Sequence, residues 1–240
     1  MKAEIFAARS IALACAVAID MGRATNDAAW VARAAFLTPI AKAYGTDIGN
    51  EVAYLGVQVH GGMGFIEETG AAQHMRDARI LPIYEGTNGI QALDFIGRKC
   101  LRDGGQAVQL LLADMQATVD PLAAANGSVV DLRNRLRHGI EQCQEALNYV
   151  LENSSDSQGI AYNFMMMYGN TVAYWLLVKL AAAAQDRLAA GETDRFYNQK
   201  IATADFFSTQ ILPRNSGYLA ALVFGADSFE ALEPADFMQA

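Results

Sequence analysis

The sequence contains little proline, cysteine and histidine. These shortages argue against frequent helix breaks, a disulfide framework and a histidine metal site, respectively. Five prolines in 240 residues leave long stretches free to stay helical. Three widely separated cysteines make no disulfide framework, and three isolated histidines make no ligand set with metal-binding spacing. We therefore predict no bound metal, a reducing compartment and a cytoplasmic protein.

Positive charge is also scarce, with 18 basic against 26 acidic side chains and a net charge of −8. This balance argues against a nucleic-acid surface, which needs clustered Lys and Arg. Disorder is excluded by a content of 52% hydrophobic and only 18% charged residues.

No segment is expected to span a membrane. The most apolar stretch, residues 172–184, is short and carries Lys179. Lys2 and Arg9 precede an apolar run at residues 11–19, as in a signal peptide. Glu4 lies inside that basic region, however, so we interpret the run as the start of a core helix.

What the chain has in abundance is alanine, at 43 of 240 residues, together with helical periodicity. We predict an all-α fold: part of a helical bundle over residues 1–103, then a second bundle over residues 104–240, with Gly104-Gly105 as the boundary. The first helix is expected at residues 2–21. Asn26 and Asp27 are candidate caps for a second long helix, which Pro39 should kink or divide.

In the second part, apolar residues recur every three or four positions, which is typical of a packed helix. One such helix carries Leu111, Met115, Val119 and Leu122, and the next carries Leu132, Leu136, Ile140, Cys143, Leu147 and Val150. Residues 157–190 are apolar on most sides and should be central. Core or interface packing is therefore the preferred role for Met165–Met167, with a flexible recognition surface as the alternative. A last helix should stop near Pro213, followed by a looser tail.

One region differs from these helices. It contains Gln58-Val59-His60-Gly61-Gly62-Met63-Gly64, then Met75-Arg76-Asp77-Ala78-Arg79, then Tyr84-Glu85-Gly86-Thr87-Asn88. The glycines allow positive φ and close approach of another group, and such a turn can bind phosphate, but it can equally be an ordinary helix C-cap. Glu85 can be a cap that favours a helix N-terminus, or a general base in an apolar pocket.

Taken together and in this order, these three motifs resemble the acyl-CoA dehydrogenase family. The resemblance covers about residues 1–103, which are similar to the later helices of that family's C-terminal bundle. Residues 104–240 resemble the helical extension of a larger subgroup that includes 3-methylmercaptopropionyl-CoA dehydrogenase-like enzymes. Gly89 departs from the motif, which often has a larger polar residue there.

The resemblance implies an FAD-dependent oxidoreductase that converts a fatty acyl-CoA thioester to its trans-2-enoyl product, with electron-transfer flavoprotein as acceptor. Glu85 matches the base that removes the α-proton, and its backbone N–H would hold the thioester carbonyl. Tyr84 and Gly86 would line the acyl pocket. The FAD contacts would come from residues 58–62 and Thr87: Gln58, Val59, His60, Gly61, Gly62 and Thr87.

The family also has an N-terminal helical domain, a middle β-domain and a first bundle helix, none of which this sequence shows. We therefore expect the chain to be the C-terminal portion of such an enzyme and to be inactive alone. The alternative is a non-catalytic helical interaction or oligomerisation module that retains the motif. In either case, broad apolar helices without partner domains should self-associate, so we expect a homo-oligomer.

Overall fold

The computed structural model describes residues 1–119 and 128–238, and the regular structure within these ranges is entirely helical. The absence of any strand from the described residues confirms the all-α prediction. Eleven α-helices are found there: α1 Lys2–Thr25, α2 Ala28–His60, α3 Gly62–Phe65, α4 Ala71–Ala78, α5 Asn88–Arg98, α6 Gln106–Val119, α7 Ser128–Glu152, α8 Ser157–Ala189, α9 Arg195–Gln210, α10 Arg214–Val223 and α11 Asp227–Glu230.

The junction between α1 and α2 uses the two residues predicted as caps, each in a different way. Asn26 is left-handed, with φ of 56°, and its N–H donates to the carbonyl of Gly22 at 3.0 Å, so it ends α1. Asp27 caps α2 by accepting from the N–H of Ala29 at 2.9 Å. The first helix therefore extends to Thr25, one turn beyond the predicted end.

Of the two predicted effects of Pro39, a kink or a division of the second helix, division does not occur. α2 continues from Ala28 to His60 with Pro39 inside it. Phe36, Leu37 and Ile40 are all buried around the proline. Their packing holds this segment helical despite the missing backbone donor, because tertiary contacts override local propensity.

Length and composition alone would let α1 cross a membrane, contrary to the expectation that no segment qualifies. Its most apolar window has a mean hydropathy of 1.7, and 28% of that window is buried. Core helices and signal sequences have the same properties. At the start of α1, Glu4 is buried and lies 3.3 Å from the Arg214 guanidinium of α10, so this acidic residue faces the protein interior.

The core is organised around α8. Its Met165, Met166 and Met167 are buried, as predicted. Aromatic rings of α8 also contact the first part of the chain: the Phe95 ring centroid of α5 lies 5.6 Å from those of Phe164 and Tyr168. Phe36 of α2 completes this cluster, 4.8 Å from Phe95. The helix that begins just after Glu85 is thus clamped between α2 and α8.

The C-terminal region is more regular than expected. Asp194 caps α9 by accepting from the N–H of Phe196 at 2.8 Å. The expected loose tail after Pro213 instead contains α10, which buries Asn215. The Asn215 amide bonds Asn170 and Thr171 of α8 at 3.0 Å each, a satisfied polar network that anchors α10.

The turn at Gly104 and Gly105 has positive φ at both residues, 65° and 84°. A Cβ on Gly105 would lie 3.1 Å from the Leu147 side chain of α7. One continuous hydrophobic core includes residues from both sides of this turn. The division into domains 1–103 and 104–240 stays a prediction.

Among the predicted core positions, the apolar residues of α7 are buried, whereas Leu122 lies outside the described residues.

Candidate functional site

The glycine turn sits at the end of α2. Gly61 has φ of 60° and ψ of −143°, a conformation that favours glycine, and its N–H donates to the carbonyl of Gln58 at 3.1 Å. Gln58, Val59 and His60 are exposed on the last turn of α2. A Cβ built on Gly61 or Gly62 would meet no described atom within 4 Å, so the turn is open to an approaching ligand.

Gly64 is the glycine that close packing requires. A Cβ there would lie 2.3 Å from the carbonyl oxygen of Val57 and 2.9 Å from the Cβ of His60. The missing side chain therefore lets α3 fold back against the end of α2. Thr69 supports this return by donating its hydroxyl to the carbonyl of Met63 at 2.6 Å.

Between the glycines and Glu85, the Arg76–Arg79 motif ends α4. Both terminal nitrogens of Arg76 donate to the Glu67 carboxylate, at 2.8 and 2.6 Å. This hydrogen bond from Arg76 lowers the pKa of the Glu67 carboxyl. Asn50 of α2 ties the end of α4 down by donating to the carbonyl of Ala78 at 2.9 Å.

Glu85 lies in the turn that follows, with φ of 53°. In the described residues, Asn26 is the only other non-glycine residue with positive φ. Gly86 continues the turn with φ of 85°. A left-handed conformation is costly for a residue with a Cβ and is found mostly where function or surrounding structure imposes it.

The carboxylate and the backbone N–H of Glu85 are both unpaired within the described part of the chain. The side chain is exposed, as are Tyr84 and Gly86. Of the two alternatives that the sequence left open, an apolar pocket around Glu85 is not formed by the described part of this chain alone. The reason is geometric: no helix in the described ranges covers the outer side of this turn.

Thr87 caps α5. Its hydroxyl accepts from the N–H of Ile90 at 3.3 Å, which leaves the hydroxyl proton free for another partner. Because α5 has eleven residues, its N-terminus also carries the positive end of a helix dipole. Thr87 thus combines a structural role with a place suited to an anion.

Asn88 is the residue that sequence reasoning missed. It is buried, and its side-chain carbonyl accepts from Lys42 at 2.8 Å and from Thr46 at 3.1 Å. Its side-chain amide donates to Asp47 at 2.7 Å. An asparagine directly after a helix cap is the signal available in the sequence, but its partners lie more than 40 positions away.

A groove of about 820 Å³ lies beside this turn, between α2, the end of α4 and the start of α5. Of the predicted site residues, only Thr87 lines it. Tyr84, Glu85 and Gly86 lie on the adjoining turn. No hydrogen bond or ion pair within residues 1–119 and 128–238 joins that turn to the residues of the glycine turn. The groove lining is Asp47, Asn50, Glu51, Tyr54, Met75, Arg76, Arg79, Pro82, Ile83, Thr87, Asn88 and Gly89.

The surface around the site is unusually apolar for one facing water. Val59 is 76% exposed and Phe65 80% exposed. Exposed apolar patches mark surfaces that bind a partner or ligand. Ten large apolar side chains are exposed between residues 54 and 90: Tyr54, Val59, Met63, Phe65, Ile66, Met75, Ile80, Ile83, Tyr84 and Ile90.

Other polar and reactive side chains of the described residues lie outside this site. Among the described residues, no three His, Cys, Asp or Glu side chains form a group that could hold a metal ion. Arg135 is paired with Asp205 at 2.7 Å, and it also donates to Ser208 at 2.8 Å. All three cysteines are free and buried.

Comparison with known proteins identifies the family. Residues 1–101 match the family model "Acyl-CoA dehydrogenase, C-terminal domain", and residues 111–233 match "Acetyl-CoA dehydrogenase C-terminal like". The chain is 42% identical over 199 residues to the 3-methylmercaptopropionyl-CoA dehydrogenase of Ruegeria pomeroyi, covering 81% of this chain and 34% of that protein. It is 34% identical over 183 residues to a broad-specificity linear acyl-CoA dehydrogenase of Mycobacterium tuberculosis, covering 69% and 30%.

The fold has a counterpart among solved structures. A crystal structure of an acyl-CoA dehydrogenase complexed with FAD from Bacillus anthracis matches with a TM-score of 0.73 and 18% identity, covering 92% of this chain and 40% of that one. The chain spans about a third of the length of the curated relatives named above. On the two family models, which together account for most of its residues, the chain belongs to the acyl-CoA dehydrogenase family and matches its C-terminal helical region.

Proposed function

We propose that the chain is the C-terminal part of a flavin-dependent acyl-CoA dehydrogenase and that Glu85 is its catalytic base. The observation that carries the proposal is the turn itself. Glu85 is held at positive φ with its carboxylate and its backbone N–H both unpaired within the described residues. This combination leaves one acceptor and one donor free on the same residue, beside an open groove.

The chemistry requires both groups. An α-C–H of an acyl-CoA thioester becomes acidic only when negative charge on the carbonyl oxygen is stabilised. The N–H of Glu85 would donate to that oxygen while its carboxylate takes the α-proton. The hydride acceptor for the β-hydrogen would be supplied by bound FAD. Tyr84 and Gly86 would line the acyl pocket, and the exposed apolar side chains nearby suit a cover that excludes water.

The residues present fit an FAD contact at two places. The turn at Gly61 and Gly62 has room for a ligand where other residues would place a Cβ. The start of α5 at Thr87 offers a helix N-terminus and a free hydroxyl proton. We propose that Gln58, Val59, His60, Gly61, Gly62 and Thr87 hold FAD.

We further propose that the rest of the enzyme, and not this chain, covers the site, so the isolated chain does not turn over acyl-CoA. Electron-transfer flavoprotein would be the electron acceptor, and the enzyme would be a homo-oligomer. The three free buried thiols suit a reducing compartment such as the cytoplasm.

FAD titration tests the cofactor site, in the chain alone and in the longer flavoprotein that contains it. We expect Gly62→Arg to weaken binding at least tenfold, because the arginine side chain fills the open turn. Gly217→Arg on α10 is the matched control, since Gly217 also has no described atom within 4 Å of its Cβ position and is not among the residues proposed to hold FAD. Equal affinity of both variants would remove the glycine turn from the FAD site.

A further inference from the structure

We propose that Tyr162, on the first turns of α8, is a positioning residue for the Glu85 turn and acts through Asp47 and Asn88. The inference rests on the proposed function for its catalytic consequence, but its structural part stands on the contacts alone. The proposed contact gives α8, one of the C-terminal helices, a role in supporting the Glu85 turn, a role that its apolar packing alone does not indicate.

The connection is a short chain of hydrogen bonds centred on one carboxylate. The Tyr162 hydroxyl donates to one oxygen of Asp47 at 3.0 Å. The Asn88 side-chain amide donates to the other oxygen of Asp47 at 2.7 Å. Asp47 therefore bridges α8 and the first residue of α5, and each of its carboxylate oxygens accepts one hydrogen bond. Hydrogen bonds to a charged group are the stronger kind.

Asn88 transmits this restraint to the turn. Its backbone N–H donates to the carbonyl of Pro82 at 3.0 Å, which closes the loop that contains Glu85. Its side chain is buried and fixed by Lys42, Thr46 and Asp47 together. Movement of Asp47 would therefore disturb the residue that closes the loop.

Tyr162 is suited to a constant donor role. Partial burial and the adjacent Asp47 charge raise the pKa of its hydroxyl, so it stays protonated through the neutral range. The loop it supports needs external support, because Glu85 itself is left-handed and makes no polar contact of its own within the described ranges. A strained turn persists only where surrounding contacts fix it.

Amide hydrogen exchange of the chain tests the structural part, with no ligand present. We expect Tyr162→Phe to speed exchange about five- to tenfold in peptides covering residues 82–88, the change that loss of one partly exposed hydrogen bond of about 1 kcal/mol produces. Because Tyr162 is 44% exposed, the Tyr162→Phe variant should fold normally. Asn88→Ala should speed exchange in the same peptides more strongly.

Tyr149→Phe is the matched control, since the Tyr149 hydroxyl also bonds an aspartate, Asp156, at 2.8 Å, but on α7 away from the turn. It should leave residues 82–88 unchanged. Unchanged exchange there in Tyr162→Phe, or an equal increase in both variants, would overturn the proposal.

The catalytic consequence is measured in the FAD-loaded longer enzyme. Tyr162→Phe should lower kcat for acyl-CoA oxidation about three- to tenfold and should affect KM less, because proton removal depends on the exact placement of the base, whereas only the Glu85 turn of the binding surface is loosened. A wild-type kcat in Tyr162→Phe would overturn the positioning role. If the wild-type enzyme itself oxidises no acyl-CoA, the proposed function is wrong. The hydrogen-exchange result still shows whether Tyr162 restrains the Glu85 turn.

Discussion

At the scale of single residues, Glu85 stands in a conformation that its side chain disfavours. Its φ of 53° is costly for any residue with a Cβ and free for glycine. The neighbouring Gly86, at φ of 85°, does not share this cost. On the proposed function, the Glu85 carboxylate is placed at this position for its role as the base, at a cost in stability.

This strain predicts an ordering of two variants that both lack the carboxylate. Glu85→Gly should be more stable than Glu85→Ala by about 1 kcal/mol, because only glycine relieves the left-handed backbone. Urea unfolding of the two variants measures the difference. Equal stability, or a more stable alanine variant, would mean that the turn is not held left-handed in solution.

At the scale of elements, the junction of α2 and α3 contains one glycine with no room for a Cβ, Gly64, and one with room for it, Gly62. Gly64→Ala should lower the free energy of unfolding by about 1–3 kcal/mol, since the new Cβ would meet the Val57 carbonyl at 2.3 Å. Gly62→Ala should change it by less than about 0.5 kcal/mol, as no described atom lies within 4 Å. Chemical denaturation of both variants checks the contrast, which a larger loss in Gly62→Ala would contradict.

The local stability of residues 66–78, which lie between the glycine turn and Glu85, should decrease in acid. The contact with Arg76 depresses the folded-state pKa of Glu67, so the stability it adds is present above the ordinary glutamate pKa. That stability is lost as pH falls through the depressed value. Proteolytic cleavage within residues 66–78 should therefore accelerate in acid in the wild type.

Two variants separate this contact from general acid effects. Glu67→Gln should cleave quickly already at neutral pH, with a weaker dependence on pH. Glu68→Gln is the control, because Glu68 is an exposed neighbour with no ion pair in the described residues. A similar acid response in wild type and Glu67→Gln would exclude the Glu67–Arg76 contact as the cause.

At the scale of the whole molecule, two of the surfaces that carry exposed apolar side chains bear on association. One is the region around the candidate site, and the other is the outer face of α1 with Ile5, Leu13 and Val17 exposed. Because such surface favours association, we predict a mass above that of the monomer, rising with concentration. Sedimentation of the 25.9 kDa chain measures this, and a strictly monomeric chain at high concentration would contradict it.

Periodicity and caps were sufficient to predict most helices, because these signals are local. The buried positions of α7 and the cap at Asp27 follow from spacing and residue type. The missed features depend on distant parts of the chain. Asn88 bonds residues 41 to 46 positions away, and Tyr162 reaches Asp47 across 115 positions. Likewise, the continuity of α2 through Pro39 reflects tertiary packing, and the exposure of Glu85 reflects which surfaces this chain leaves uncovered.

The most direct test is the turnover number of the FAD-loaded longer enzyme with Glu85→Gln, measured by dye reduction with a panel of acyl-CoA thioesters. Glutamine keeps the size and the backbone N–H but cannot accept the proton. We predict a loss of at least about 10²-fold in kcat with acyl-CoA binding retained, while the exposed-carboxylate control Glu68→Gln stays at the wild-type rate. A wild-type rate in Glu85→Gln would contradict the assignment and favour a helical module that merely retains the motif.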